Sequence, residues 1–129
     1  MYNKYIRMDY QLIIVAAITM LLLDFVYLSS LSKVYSETVA SIQRTAMNVK
    51  FEGAALCYIF LIFGLYYFIL SENRSPVDAF LLGIVIYGVY ETTTYAILKK
   101  WPFHLVLIDT LWGGVLFALT TIITYHLIK

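Results

Sequence analysis

Four long apolar stretches fill most of the sequence and set the main limit on what this chain can fold into. They span about residues 10–28, 54–70, 77–98 and 102–128. A helix needs about 20 mainly apolar residues to cross a hydrocarbon core of roughly 30 Å, and each stretch is close to that length. Charged residues make up only 13% of the 129-residue chain, against about 25% in soluble domains. The sequence therefore predicts an all-α integral membrane protein, with residues 1–129 forming one antiparallel bundle of four transmembrane helices.

Turn-forming residues separate the later apolar stretches. The segment Ser75–Asp78 is typical of a helix start, with Ser75 as the N-cap and a proline at the first helical position. The segment Lys99–Pro102 predicts a tight turn whose lysines and tryptophan suit the headgroup region. Because that turn is short, we expect the third and fourth helices to be antiparallel neighbours. Basic residues divide almost evenly between the two sides of the membrane, so the sequence does not fix the orientation.

The connection between the first two stretches has a different pattern. Over residues 31–50, apolar side chains such as Leu31, Tyr35 and Ile42 recur at helical spacing, with polar residues elsewhere around the helix. This pattern predicts an amphipathic helix that lies on the membrane surface or folds against the bundle. An ordinary solvated helix is the alternative. The segment is also the expected contact for any protein partner.

Several functional classes find no support in the sequence. A formal net charge of +1 lacks the basic patch that nucleic-acid binding needs. There is no glycine-rich phosphate loop and no zinc-protease or serine-hydrolase motif. His104 and His126 are too far apart on one helix to chelate one metal, and Cys57 has no cysteine partner within the chain. We therefore predict no cofactor, no metal site and no nucleic-acid partner.

Three acidic residues interrupt the apolar stretches. Asp24 lies near the end of the first, Glu91 within the third and Asp109 within the fourth. An ionisable side chain in the bilayer costs at least about 2.5–3.5 kcal/mol, so it is rare unless it has a use or a partner. With alternating helix directions and a rise of 1.5 Å per residue, all three fall about 6–12 Å below the same interface. We expect them to share one polar pocket that binds a proton, a cation or a substrate.

Further residues are predicted around this pocket from helical spacing and position. The pocket is expected to be shaped by six side chains: Tyr27, Tyr87, Tyr90, Thr94, Tyr95 and Trp112. Six more are expected at its mouth: Lys33, Lys99, Lys100, Trp101, Pro102 and His104. Three carboxylates close together cannot all ionise without a cation, so at least one is expected to hold a proton near neutral pH. The alternative is structural, with each acid hydrogen-bonded to fix helix register.

The segments around these acids resemble a known family. They read L-L-L-D-F-V-Y-L, Y-G-V-Y-E-T-T-T-Y-A-I-L-K-K-W-P and V-L-I-D-T-L-W-G-G. The chain is similar, from about Leu12 to Tyr125, to a domain-of-unknown-function family of small predicted membrane proteins from bacteria and large DNA viruses. In that family the acid of the third helix is usually Asp, followed by Thr-Asn; here Glu91 holds the acid position and Thr93 the Asn position. The resemblance implies the fold and the acidic site but no reaction.

Three functional hypotheses remain open at this point. The first is a small proton- or cation-linked transporter or channel-like protein, expected to form a homo-oligomer because a single small bundle leaves little room for a path. The second is a non-catalytic assembly component of a membrane, including a virion membrane. The third is a lipid-modifying enzyme that uses the carboxylates as acid and base, which the chain supports least because it has no evident nucleophile. Membrane lipids are partners in each case, in a bacterial inner membrane or, for a viral source, an internal virion or host membrane.

Overall fold

Four helices account for nearly all of the structure. The computed structural model describes residues 9–43 and 50–128. Its helices are α1 (Tyr10–Gln43), α2 (Phe51–Leu65), α3 (Pro76–Ile97) and α4 (Phe103–Ile128), and α2 continues into a π-helical segment (Tyr66–Leu70). Each span is long and apolar enough to cross a membrane. The prediction of an all-α four-helix bundle is confirmed, while the antiparallel order of the whole bundle stays a prediction.

Helix α1 differs from the prediction in its length. The apolar pattern predicts that the first span ends near residue 28 and that a separate amphipathic helix covers residues 31–50, but α1 runs unbroken for 34 residues. At 1.5 Å per residue this is about 51 Å, well beyond a core of about 30 Å. The polar residues from Ser29 onward mark where the lipid-facing surface ends. They do not end the helix, because the chain has no glycine or proline between Tyr10 and Lys50. Residues 44–49 of the predicted segment lie outside the described residues.

The predicted start of α3 is confirmed in detail. Ser75 has an extended backbone, and its side chain accepts a hydrogen bond from the Asp78 backbone N–H at 3.2 Å. Pro76 occupies the first turn, where its missing N–H leaves no helical hydrogen bond unmade. At the other end of α3, the Leu98 N–H donates to the Thr94 carbonyl at 2.8 Å, and the short turn to α4 follows.

Glycines let α3 and α4 approach closely. A Cβ added at Gly83 would overlap the Gly113 carbonyl, and one added at Gly114 would lie 2.8 Å from the side chains of Ile84 and Phe80. Positions further along α3 meet positions earlier in α4: Gly83 faces Gly113, whereas Gly88, nearer the connecting turn, faces Thr110. This register brings the middle of α3 beside the first half of α4, where two of the three acids lie.

The core consists of two apolar clusters. The larger one contains the fully buried Met20, Leu65, Leu116 and Phe117. The smaller one, formed by Trp101, Leu105 and Val106, lies at the α3–α4 turn, and Tyr35 and Ile42 of α1 pack against it. The last third of α1 therefore covers the turn end of α3 and α4. Large apolar side chains remain exposed around the bundle, as lipid contact requires, among them Leu22, Phe25, Phe60, Val85 and Leu111.

Candidate functional site

Asp24 on α1 is held by two aromatic donors. Its carboxyl group is buried, with the residue only 5% exposed. The Trp112 indole N–H donates to Oδ1 at 2.9 Å, and the Tyr58 hydroxyl donates to Oδ2. A carboxylate without hydrogen bonds is very costly in an apolar medium. The two donors from α4 and α2 offset part of that cost.

Glu91 on α3 is the most deeply buried acid, at 1% exposed. The Trp101 indole N–H donates to Oε1 at 2.9 Å. Oε2 is buried, and no donor among the described residues reaches it. The Asp109 carboxyl is a close polar neighbour of Glu91. Two carboxylates are both acceptors, so a hydrogen bond between them exists only when one carries a proton.

Asp109 on α4 is 8% exposed and accepts a hydrogen bond from α1. The Tyr27 hydroxyl donates to its Oδ1 at 3.1 Å. The same hydroxyl lies 3.2 Å from the hydroxyl of Tyr35, two helical turns further along α1. Asp109 therefore connects the buried Glu91 to a pair of tyrosine hydroxyls.

A stacked aromatic pair joins the Asp24 site to the Glu91–Asp109 site. The rings of Tyr27 and Trp112 are parallel within 3°, with centroids 4.6 Å apart. Trp112 binds Asp24 through its indole N–H, and Tyr27 binds Asp109 through its hydroxyl. The three acids, from three helices, thus belong to one layer of hydrogen-bonded side chains, which we call the acidic layer.

The acidic layer contains no basic partner among the residues that the structure describes. The ion pairs of the described residues lie outside the acidic layer and are exposed. They join Lys33 to Glu37 at 4.0 Å and Arg74 to Asp78 at 3.8 Å. No group of three or more potential metal ligands occurs within the described ranges. Neighbouring carboxyl groups in a medium of low dielectric constant repel each other strongly when both are ionised. The arrangement is therefore suited to holding a proton between Glu91 and Asp109.

Three of the residues predicted around the pocket contact the acids. Tyr27 and Trp112 donate to Asp109 and Asp24, as just described. Trp101, expected at the pocket mouth, is buried and donates directly to Glu91.

Four residues of α3 predicted to shape the pocket lie apart from the hydrogen bonds of the acidic layer. Tyr87 packs over Gly113 and meets Phe117 edge-on, with centroids 6.4 Å apart. Thr94 donates to the backbone carbonyl of Tyr90, at 2.8 Å, within its own helix. Tyr90 and Thr94 line a shallow groove on the outer surface of α3. The fourth, Tyr95, packs against the ring of Phe103.

The basic residues expected at the mouth also lie away from the carboxyl groups. Lys33 is exposed and pairs with Glu37, one turn further along α1. The Lys100 ammonium donates to the Ser41 carbonyl at 3.4 Å, which ties the turn to the end of α1. Lys99 and His104 are exposed, and Pro102 supplies a carbonyl to the first turn of α4.

Two contacting residues were not anticipated as part of the site. Tyr58 of α2 binds Asp24, and Tyr35 of α1 extends the hydrogen bonds of Asp109. The chain has 12 tyrosines, and nothing in the local sequence of these two distinguishes them from tyrosines that face lipid. Only the packing of α1 and α2 reveals them.

Apolar helices surrounding a buried acidic layer define an integral, multi-pass membrane protein. The chain belongs to the family described as Predicted membrane protein (DUF2177), whose profile matches residues 10–126. This confirms the resemblance noted from the sequence motifs. No curated protein and no solved structure gave a match. The family description gives a location and no reaction.

Proposed function

We propose that the protein is a small proton-linked membrane transporter or channel-like protein, with Asp24, Glu91 and Asp109 as its proton-binding groups. One observation carries the proposal: among the described residues, the fully buried Glu91 carboxyl has one donor, Trp101, and its other close polar neighbour is the Asp109 carboxyl. Purely structural acids are expected to have all their acceptors paired with donors, as Asp24 does.

The same contacts favour a proton over a metal ion as the bound charge. A proton needs only two facing oxygens, whereas an ion such as Ca²⁺ takes about 6–8 oxygen ligands. The remaining contacts of the layer are indole N–H and phenolic donors whose hydrogens point at the carboxylate oxygens. The alternative is that a monovalent cation binds between Glu91 and Asp109 in place of the proton.

Linkage to transport follows from the positions of the acids. Glu91 and Asp109 lie on α3 and α4, while their donors come from the turn and from α1. Loss of the shared proton places two negative charges side by side in a medium of low dielectric constant. Their repulsion favours an arrangement in which the helices separate, and proton binding favours the closed one. A homo-oligomer would supply the path that one small bundle lacks.

Proton flux into vesicles tests the proposal. Purified protein in liposomes that contain a pH-sensitive dye is exposed to an acid-outside gradient. Glu91→Gln and Asp109→Asn are compared with Glu37→Gln and Asp78→Asn, which alter exposed acids in surface pairs. We expect the first two variants to fold and lose the flux, and the two control variants to keep it. Variants of Glu91 and Asp109 that fold and retain the wild-type flux would refute the proposal. If the Glu91 and Asp109 variants fail to accumulate while the control variants accumulate normally, the structural interpretation is favoured.

The length of α1 supports a second function, as a membrane assembly component. Its last third, beyond Ser29, exposes Lys33 and Glu37 while its other face packs on the α3–α4 turn. A helix end held rigidly above the membrane could bind a scaffold protein. Stoichiometric copurification of a protein that is lost when this surface is altered would favour this function. A solitary chain in detergent would count against it.

A further inference from the structure

We propose that the hydroxyls of Tyr35 and Tyr27 relay protons between the aqueous side at the α3–α4 turn and Asp109. This inference rests on the proposed function, because it names the route by which the acidic layer exchanges protons. It assigns a role to Tyr35 that neither the sequence motifs nor the family match suggested.

The contacts form an unbroken line from the acid to the end of the bundle. The Tyr27 hydroxyl lies 3.1 Å from Asp109 Oδ1 and 3.2 Å from the Tyr35 hydroxyl. Tyr35 is partly exposed and packs against the cluster of Trp101, Leu105 and Val106, whereas Asp109 is 8% exposed. The line therefore runs from a buried carboxylate to a hydroxyl near the surface.

Other donors to the buried acids cannot perform this transfer. An indole N–H donates a hydrogen bond but has no lone pair with which to accept one, so Trp101 and Trp112 cannot pass a proton onward. A phenolic hydroxyl donates and accepts, so a proton received on one side can leave on the other. Around the turn, Trp101, Leu105 and Val106 are buried and close the direct approach to Glu91. Among the described residues, the tyrosine line is the hydrogen-bonded route from the Glu91–Asp109 pair toward that end.

The outer end of this line lies on the polar part of α1. From Ser29 onward the exposed positions of α1 include Ser30, Ser32 and Lys33, which suit water and not lipid. The contact between Lys100 and Ser41 places the α3–α4 turn about 9 Å beyond Tyr35 along the helix. Tyr35 thus lies on the part of α1 that carries polar neighbours.

The transfer conserves its protons. A hydronium ion protonates the Tyr35 oxygen as the Tyr35 hydrogen passes to Tyr27 and the Tyr27 hydrogen passes to Asp109 Oδ1. The hydronium ion becomes water, both tyrosines end as neutral phenols, and the carboxylate becomes a carboxylic acid. The hydroxyls then rotate before the next transfer. The titratable groups that face the two hydroxyls from other helices are Asp109 on α4 and, beside Tyr27, Glu91 on α3.

A pH jump on the full chain in lipid nanodiscs tests the relay. The chain has two tryptophans, and both bind acids of the layer, so intrinsic fluorescence reports protonation there. Tyr35→Phe keeps the ring that packs against the apolar cluster at the α3–α4 turn and removes only the hydroxyl. We expect this variant to slow the fluorescence change by at least about tenfold without moving the pH midpoint. A tenfold effect is smaller than the rate factor that a positioned proton-transfer group typically contributes. Tyr67→Phe, which alters an exposed ring on the π-helical segment, is the matched control and should match wild type.

The outcomes separate this inference from the proposed function. An unchanged rate in Tyr35→Phe, with a response that Asp109→Asn abolishes, overturns the relay and leaves the proton site intact. A rate and midpoint that shift together indicate a structural role for Tyr35 and also overturn the relay. No pH response in the wild type contradicts both. If Tyr35→Phe does not fold, the wild-type rate is compared in H₂O and D₂O. A slower change in D₂O supports transfer through hydroxyls, and equal rates overturn it.

Discussion

Replacing Gly83 by alanine tests whether the close approach of α3 and α4 assembles the acidic layer. A Cβ at this position would lie 2.7 Å from the carbonyl carbon of Gly113 and 3.0 Å from the Cα of Gly114, and nearer still to the Gly113 oxygen. These are backbone atoms, so no side chain can rotate away. Non-bonded carbon atoms prefer separations of about 3.5–4.0 Å, so the two helices must move apart by about 1 Å.

The expected magnitude follows from a matched substitution. Gly64 also lies inside a helix, but a Cβ there meets no atom within 4 Å. Alanine gains about 0.5–1 kcal/mol over glycine in a helix interior, and both variants share this gain. The difference between them is therefore the overpacking cost, which is typically about 1–3 kcal/mol. We expect Gly83→Ala to be less stable than Gly64→Ala by that amount.

Chemical unfolding in detergent measures this difference, and tryptophan fluorescence of the folded state reports the site. Separation of α3 from α4 moves Asp109 away from Glu91, so the emission of Gly83→Ala should change even when the protein is fully folded. Gly64→Ala should keep the wild-type spectrum. Equal stability of the two variants, with identical spectra, would refute the argument that this glycine contact sets the geometry of the acids.

Three further substitutions test separate contacts, each by unfolding in detergent. Ser75→Ala removes the N-cap of α3 and should cost about 0.5–2 kcal/mol; an unchanged stability would mean that the cap contributes nothing. Thr120→Val replaces a buried hydroxyl that has no partner within the described ranges and should not destabilise, whereas Thr121→Val removes a 2.8 Å hydrogen bond and should cost about 1 kcal/mol. The reverse order would contradict this. Tyr58→Phe removes a donor to the acid on α1 and should cost about 1.5–3 kcal/mol, while Tyr67→Phe, on an exposed ring, should cost nothing; equal effects would argue against the hydrogen bond.

Much of the fold could be predicted because a bilayer leaves few alternatives. Chain segments that cross lipid must satisfy their backbone hydrogen bonds internally, so long apolar stretches become helices. The Ser75 cap and the Lys99–Pro102 turn then set the boundaries of α3 and α4. The end of α1 was not predicted, because hydropathy reports the change of solvent at Ser29 and carries no information on where the helix stops.

The acids themselves were found from their cost in lipid, but their partners were only partly predictable. Trp112 and Tyr27 lie one turn from Asp109 and Asp24 in the sequence, so helical spacing placed them at the site, but each binds the acid of the other helix. Trp101 was placed at the surface because its neighbours are lysines, although its indole reaches inward to Glu91. Tyr35 and Tyr58 contact the acids across helix interfaces, which a single sequence does not reveal.

The infrared band of a protonated carboxyl group tests the central claim most directly. Spectra of the protein in nanodiscs near neutral pH would be compared for wild type, Glu91→Gln, Asp109→Asn and the surface control Asp78→Asn. A carboxylic-acid C=O band present in wild type and in the control, and absent from both variants of the pair, is the predicted result. A wild-type spectrum without this band, or a band that survives both substitutions, would contradict a proton shared between Glu91 and Asp109.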